Sequence, residues 1–131
     1  ADSPQGTVLV LDPPEVIARK FKRAVTDTGS DVVFDPEKQP GVANLLAILA
    51  AATGRRPEDV AGGYTQYGPL KADTADAVIE LLRPVRERYE ALASDPEAVR
   101  ATLTRGAEKA EAVAGPTLAR ARDAIGLLSR G

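Results

Sequence analysis

An all-α fold, a compact bundle of five or six helices, is predicted for this 131-residue sequence. Three observations predict it. Apolar residues recur three and four positions apart in one segment after another, the spacing that lines one face of a helix. Prolines stand near the starts of those segments and glycines near their ends, where a missing N–H or a left-handed backbone is tolerated. The one strand-like run, 8-VLVL-11, is too short to tell a strand from a tucked-in extended segment.

The first helix starts at 12-DPPEV-16, with Asp12 as the expected cap and the prolines in the first turn. Val16, Ile17, Phe21, Ala24 and Val25 give it one apolar face, and Gly29 ends the segment. The irregular stretch 30-SDVVFDPEKQPG-41 offers Val32, Val33 and Phe34 as anchors into the core. A second helix is expected from about Gly41 to Thr53, with Val42, Leu45, Leu46, Ile48 and Leu49 inward and Gly54 as a left-handed cap. Pro57 opens a short turn, 57-PEDVA-61, and the Gly-rich 62-GGYTQYGPLK-71 reads as loop. The longest helix follows from about Lys71 to Ala93, apolar at Ala75, Val78, Ile79, Leu82, Val85, Tyr89 and Leu92, with a kink expected at Pro84. Asp95-Pro96-Glu97 starts another, with Val99, Leu103, Ala107, Ala110 and Val113 inward. Gly115-Pro116 is expected to interrupt it, leaving a final helix with Leu118, Ala121, Ile125 and Leu128.

Composition excludes several kinds of chemistry. The chain has no Cys and no His, which removes thiolates, disulfides, the commonest metal ligand and the commonest general acid–base. No oxygen-rich calcium loop is present, so neither a catalytic nor a metal site is expected in these residues. A formal charge of −2 provides no overall positive field, so any nucleic-acid contact must be local. The longest apolar run, 45-LLAILAAA-52, falls far short of the roughly 18 residues of a membrane span. With no basic start followed by an apolar block, the expectation is a cytoplasmic protein without a membrane partner. The chain begins with Ala and a loop-like 1-ADSPQGT-7, which suggests a processed chain or a fragment.

Two stretches carry candidate binding chemistry. In 18-ARKFKRAVTDTG-29, Arg19, Lys20, Lys22 and Arg23 crowd the end of the first helix. They suit the negative end of the helix dipole, and they equally suit phosphates. Asp27 follows them, and its carboxylate either caps a turn or accepts a hydrogen bond from the exocyclic amine of an unpaired cytosine. In 64-YTQYGPLK-71, Tyr64 and Tyr67 either pack the loop onto its domain or stack on splayed bases, with Lys71 as a nearby phosphate or base contact. The charges scattered over the Ala-rich final segments read as a solvated face. No Walker-type loop is present.

Taken in order, 24-AVTD-27, 35-DPEKQPGVANLL-46, Gly68 to Lys71, 82-LRPVRERYEAL-92, 106-GAEKA-110 and 124-AIGLL-128 resemble the C-terminal helical region of bacterial tryptophanyl-tRNA synthetases, over essentially the whole chain. The resemblance implies the anticodon-binding domain of a class I synthetase at residues 12–131. It places residues 1–11 as the segment after the signature loop of a catalytic domain absent from this sequence. The family enzyme uses ATP and Mg²⁺ to activate tryptophan and attach it to tryptophan tRNA, and the parent is expected to be a homodimer. The fragment itself is expected to need no cofactor and to be inactive alone. By resemblance Asp27 is a candidate base contact and Lys71 a candidate tRNA contact; Arg19, Lys20, Lys22, Arg23 and Tyr67 are added on physical grounds. The alternative is a synthetase-derived interaction or regulatory module with no role in tRNA charging, which predicts no effect of Asp27→Ala on tRNA binding.

Overall fold

The computed structural model describes residues 6–27, 29 and 31–126. Five helices follow one another: α1 (Pro14–Lys22), α2 (Pro40–Thr53), α3 (Pro57–Ala61), α4 (Tyr67–Ala93) and α5 (Pro96–Ala124). No strand forms among the described residues, and 8-VLVL-11 lies in irregular chain. The chain divides into two compact units, Ala1–Arg88 and Tyr89–Gly131, with the boundary inside α4. Leu128 and the first five residues of the 1–11 segment lie outside the described residues.

The core belongs to the first unit. Ile17 and Phe21 of α1 meet Val42, Leu45, Leu46 and Leu49 of α2, Val60 of α3, and Leu70, Ala75 and Val78 of α4. Val32 is buried among them and Phe34 packs against the cluster, whereas Val33 points outward. Gly54 caps α2 in the left-handed region with φ 68°, as its position at the helix end predicts. Thr74 is the one polar side chain fully enclosed among the described residues, and its hydroxyl donates to the Leu70 carbonyl at 2.6 Å. A buried hydroxyl is tolerated because it has that partner.

Several expectations are corrected. Asp12 does not cap α1; Pro13 holds that position without a side-chain bond. The Asp12 carboxylate turns back instead, accepting from the Leu9 N–H at 2.9 Å and from Lys20 at 2.6 Å. Helix α1 stops at Lys22, so Val25 leaves the apolar face and is 87% exposed. Helix α4 starts at Tyr67, four residues before Lys71, because Pro69 sits in the first turn, where its missing N–H breaks no helical bond. At Pro84 the chain stays helical, and the Arg86 guanidinium reaches back to the Ile79 carbonyl at 3.3 Å. That contact gives a second donor to the turn where the proline weakens the ladder.

In the second unit, α5 is capped by Asp95, whose carboxylate accepts from the Ala98 N–H at 3.0 Å. It then runs unbroken through Gly115 and Pro116 to Ala124, so the expected interruption and separate final helix are not formed. No residue of α5 is buried; Val99, Leu103 and Val113, expected inward, are exposed. A proline costs a helix one backbone bond and a clash, which bending relieves without ending the helix.

Candidate nucleic-acid interface

The candidate residues fall into two places within the first unit. The first is a polar cluster built on Asp27. The Tyr67 hydroxyl donates to Asp27 Oδ1, joining residues 40 positions apart. The Gly29 N–H donates to the same oxygen at 2.9 Å, closing a tight turn after the carboxylate. Asp27 Oδ2 is buried and has no hydrogen-bond partner among the described residues. Tyr67 reaches the cluster from the first turn of α4, its ring packed against the core.

Gln39, absent from the sequence-derived candidates, ties the cluster together. Its Nε2 donates to the Asp31 carbonyl at 3.0 Å and lies 3.5 Å from the Tyr67 hydroxyl oxygen, while its Oε1 accepts from the Val33 N–H at 3.3 Å. One amide side chain thus serves both a carbonyl and an N–H of the irregular segment, much as a neighbouring strand would. Local structure presents it there. The Asp35 carboxylate accepts from the N–H groups of Glu37 and Lys38, and the Asp35 carbonyl takes the Gln39 N–H at 2.8 Å, just before Pro40 opens α2. The Lys38 N–H bond is the main reason the Asp35 carboxyl lies below its usual range. The only signal for Gln39 in the sequence is its place before a helix-starting proline, and many loop residues share that signal.

Gly41 seats the segment that leads into Asp27. A Cβ at Gly41 would collide with the Val25 carbonyl oxygen and lie 3.2 Å from Thr26 Cα, so the backbone before Asp27 rests directly on the start of α2. The Tyr67 hydroxyl is pushed up to about 12, first by its bond to Asp27, then by burial and the Asp27 and Asp31 charges. Tyr64 is also raised to about 12, chiefly by burial and then by its 2.7 Å bond to Asp73. Lys71 stands one turn along α4 from Tyr67, on the same face, with no ion-pair partner among the described residues.

The second place is a groove of about 780 Å³ beside α1. Val8, Val10, Val25 and Leu81 supply apolar lining, and Arg19, Lys20 and Arg23 also face it. Asp27, Tyr67 and Lys71 take no part in this groove. Lys20 is engaged: its ammonium holds Asp12 and the Thr7 carbonyl, both at 2.6 Å, and the pair is mostly shielded from solvent. Arg19, Lys22 and Arg23 are exposed and have no ion-pair partner among the described residues. Among the described residues no group of three acidic side chains converges to hold a metal ion. No described helix is long and apolar enough to cross a membrane.

No family model matches the chain. Similar proteins are nevertheless found by sequence and by structure. The three that follow are of one class, ligases that join an amino acid to tRNA, and the chain matches their C-terminal part. The two curated relatives are tryptophan–tRNA ligases. Tryptophan–tRNA ligase 1 of Streptomyces coelicolor is 57% identical over 127 residues, 97% of this chain. The tryptophan–tRNA ligase of Corynebacterium glutamicum is 41% identical over 98% of it. The crystal structure of tryptophanyl-tRNA synthetase from Mycoplasma pneumoniae superimposes with a TM-score of 0.70 at 29% identity, covering 98% of this chain and 40% of that one. The chain spans 38% of the length of the two curated relatives.

Proposed function

We propose that this chain is the anticodon-binding part of a tryptophan–tRNA ligase, an enzyme that uses ATP and Mg²⁺ to activate tryptophan and join it to its tRNA. The observation that carries this reading is the 57% identity to such a ligase across 97% of the chain. Activation chemistry is assigned in this reading to a catalytic domain outside these residues. The parent enzyme is cytoplasmic and homodimeric in this reading.

Within the chain, Asp27 accepts a hydrogen bond from the N4 amine of an anticodon cytosine, the pairing a carboxylate makes with that base. Lys71, one turn from Tyr67, contacts the tRNA nearby. Arg19, Lys22 and Arg23 neutralise phosphates, each adding affinity that salt removes. Lys20 shares that role least, because Asp12 and Thr7 already hold its ammonium.

The test is a low-salt titration of the chain with tryptophan tRNA and with the same tRNA carrying a changed anticodon. Tighter binding to the cognate anticodon, abolished by Asp27→Ala, is expected. Equal binding to both, fading as salt rises, would leave only the basic end of α1 acting and would sink the anticodon reading.

A further inference from the structure

We propose that the pocket between residues 32–34 and the C-terminal end of α3 is a subsite for one unpaired nucleobase bearing an exocyclic amine, with Glu58 as its acceptor. The proposal rests on the anticodon reading above and deepens it, by giving the chain a place for a base apart from Asp27. The pocket holds about 320 Å³, at the small end of the range of about 300–1,000 Å³ that ligand pockets span, which suits a single base. It lies within the first unit and is open to solvent. Val33, Glu58 and Gly62 on its walls are exposed, and Phe34 and Tyr64 are half-buried.

The walls supply what a base needs. Aromatic faces come from Phe34 and Tyr64, and Tyr64 is a fixed wall because its hydroxyl donates to Asp73 of α4 at 2.7 Å. Any base has a π-face to lay on such a ring. Polar contacts come from the chain itself. Val32 and Phe34 have main-chain N–H and carbonyl groups without a hydrogen-bond partner among the described residues, whereas the Val33 N–H is taken by Gln39. Glu58 has no ion-pair partner among the described residues, and a carboxylate accepts from an exocyclic amine but meets the carbonyl of uracil with like charge. Arg55, three residues earlier, also lacks an ion-pair partner there; its Nη2 donates to the Asp59 carbonyl at 3.1 Å, holding a cation near Tyr64 for the phosphate of the same nucleotide. Gly62 leaves the entrance clear. Its backbone, with φ −61° and ψ −13°, is one that any residue adopts, so no turn requires glycine. Beyond its chain neighbours, a Cβ at Gly62 would meet the Asp59 carbonyl oxygen at 3.9 Å and nothing nearer. The missing side chain keeps that wall bare.

The experiment measures low-salt binding of the 131-residue chain to tryptophan tRNA and to the same tRNA made abasic at each anticodon-loop nucleotide in turn, so that a base is lost and its phosphate kept. Gly62→Leu puts apolar bulk at the pocket wall. It should weaken binding of the intact tRNA about five- to a hundredfold, the weight of a base–aromatic stack. At one loop position, bearing cytosine, adenine or guanine, the abasic change should cost wild type the same factor and cost Gly62→Leu nothing further. Glu58→Gln should lower the preference for the natural base over uracil at that position. Abasic losses that all persist undiminished in Gly62→Leu would overturn the proposal and leave the anticodon reading standing, because the bases would then be held elsewhere on the chain. A matching position that carries uracil would overturn it as well. No loss at any position in wild type would overturn both, since the chain would then hold phosphates alone. Thermal unfolding of each variant checks the fold. Glu58→Gln, exposed and outside the apolar core, carries the test by itself where Gly62→Leu fails to fold: an unchanged preference against uracil at every loop position then overturns the proposal.

Discussion

A phenol has one proton to donate, and the Asp27 carboxylate takes that of Tyr67. Folding raises this hydroxyl from its ordinary value of 10.0 to about 12. A group raised on folding stabilises the native state fully below its unfolded value and loses that contribution as pH climbs through the folded one. Urea unfolding should therefore show stability falling between about pH 10 and pH 12, and Tyr67→Phe should flatten the Tyr67 share of that fall while Tyr64 retains its own. The opposite sign holds for Asp12. Its carboxyl is lowered below 3.8, first by the hydrogen bond from Lys20 and then by the Leu9 N–H. Its contribution is present above that value and is lost as pH falls through the folded one. Asp12→Asn should thus destabilise at neutral pH and converge with wild type in strong acid, as followed by denaturant melts. Asp27 and Tyr67 were each legible in the sequence as candidates, but their pairing was not. They lie 40 residues apart, and a Gly-rich stretch containing Pro69 gave no sign that Tyr67 opens a helix.

At the scale of elements, two glycines of the first unit test what positions the cluster. At Gly41 a methyl would strike the Val25 carbonyl, and backbone cannot step aside as a flexible side chain can. Gly41→Ala should cost about 1–3 kcal/mol as an overpacking change and loosen the approach to Asp27. Gly68 in the first turn of α4 has nothing within 4 Å of a built Cβ, so Gly68→Ala should be neutral or gain at most about 1 kcal/mol. Thermal melts should show Gly41→Ala lowered and Gly68→Ala unchanged or raised; a shared loss would contradict the packing argument. The order of helices was legible because each buried face in the first unit repeats at helical spacing and each start carries a proline or cap. What escaped was length. Pro69 permitted an earlier start, Pro116 failed to stop α5, and Val25 shared a periodicity with a helix that had ended at Lys22. A local pattern does not report whether tertiary contacts reward its continuation.

For the whole molecule, the core residues all lie in the first unit, and α5 in the second buries none of its side chains. A helix without tertiary burial melts gradually, whereas a single core unfolds cooperatively. Far-ultraviolet circular dichroism of the chain should therefore show an early sloping loss of helix followed by one sharp transition. A single sharp transition carrying the whole helical signal would contradict this. The bond between Tyr67 and Asp27 has an optical consequence as well. The chain contains three tyrosines and no tryptophan, so its ultraviolet emission comes from phenols alone. An excited phenol is a far stronger acid than in its ground state and passes its proton to a hydrogen-bonded carboxylate, which dims or reddens its light. Tyr64 and Tyr67 both donate to carboxylates, while Tyr89 is half exposed and engages none among the described residues. The protein thus carries its own dye at Asp27: any ligand that pulls that carboxylate away from Tyr67 announces itself as brighter tyrosine fluorescence, without a label.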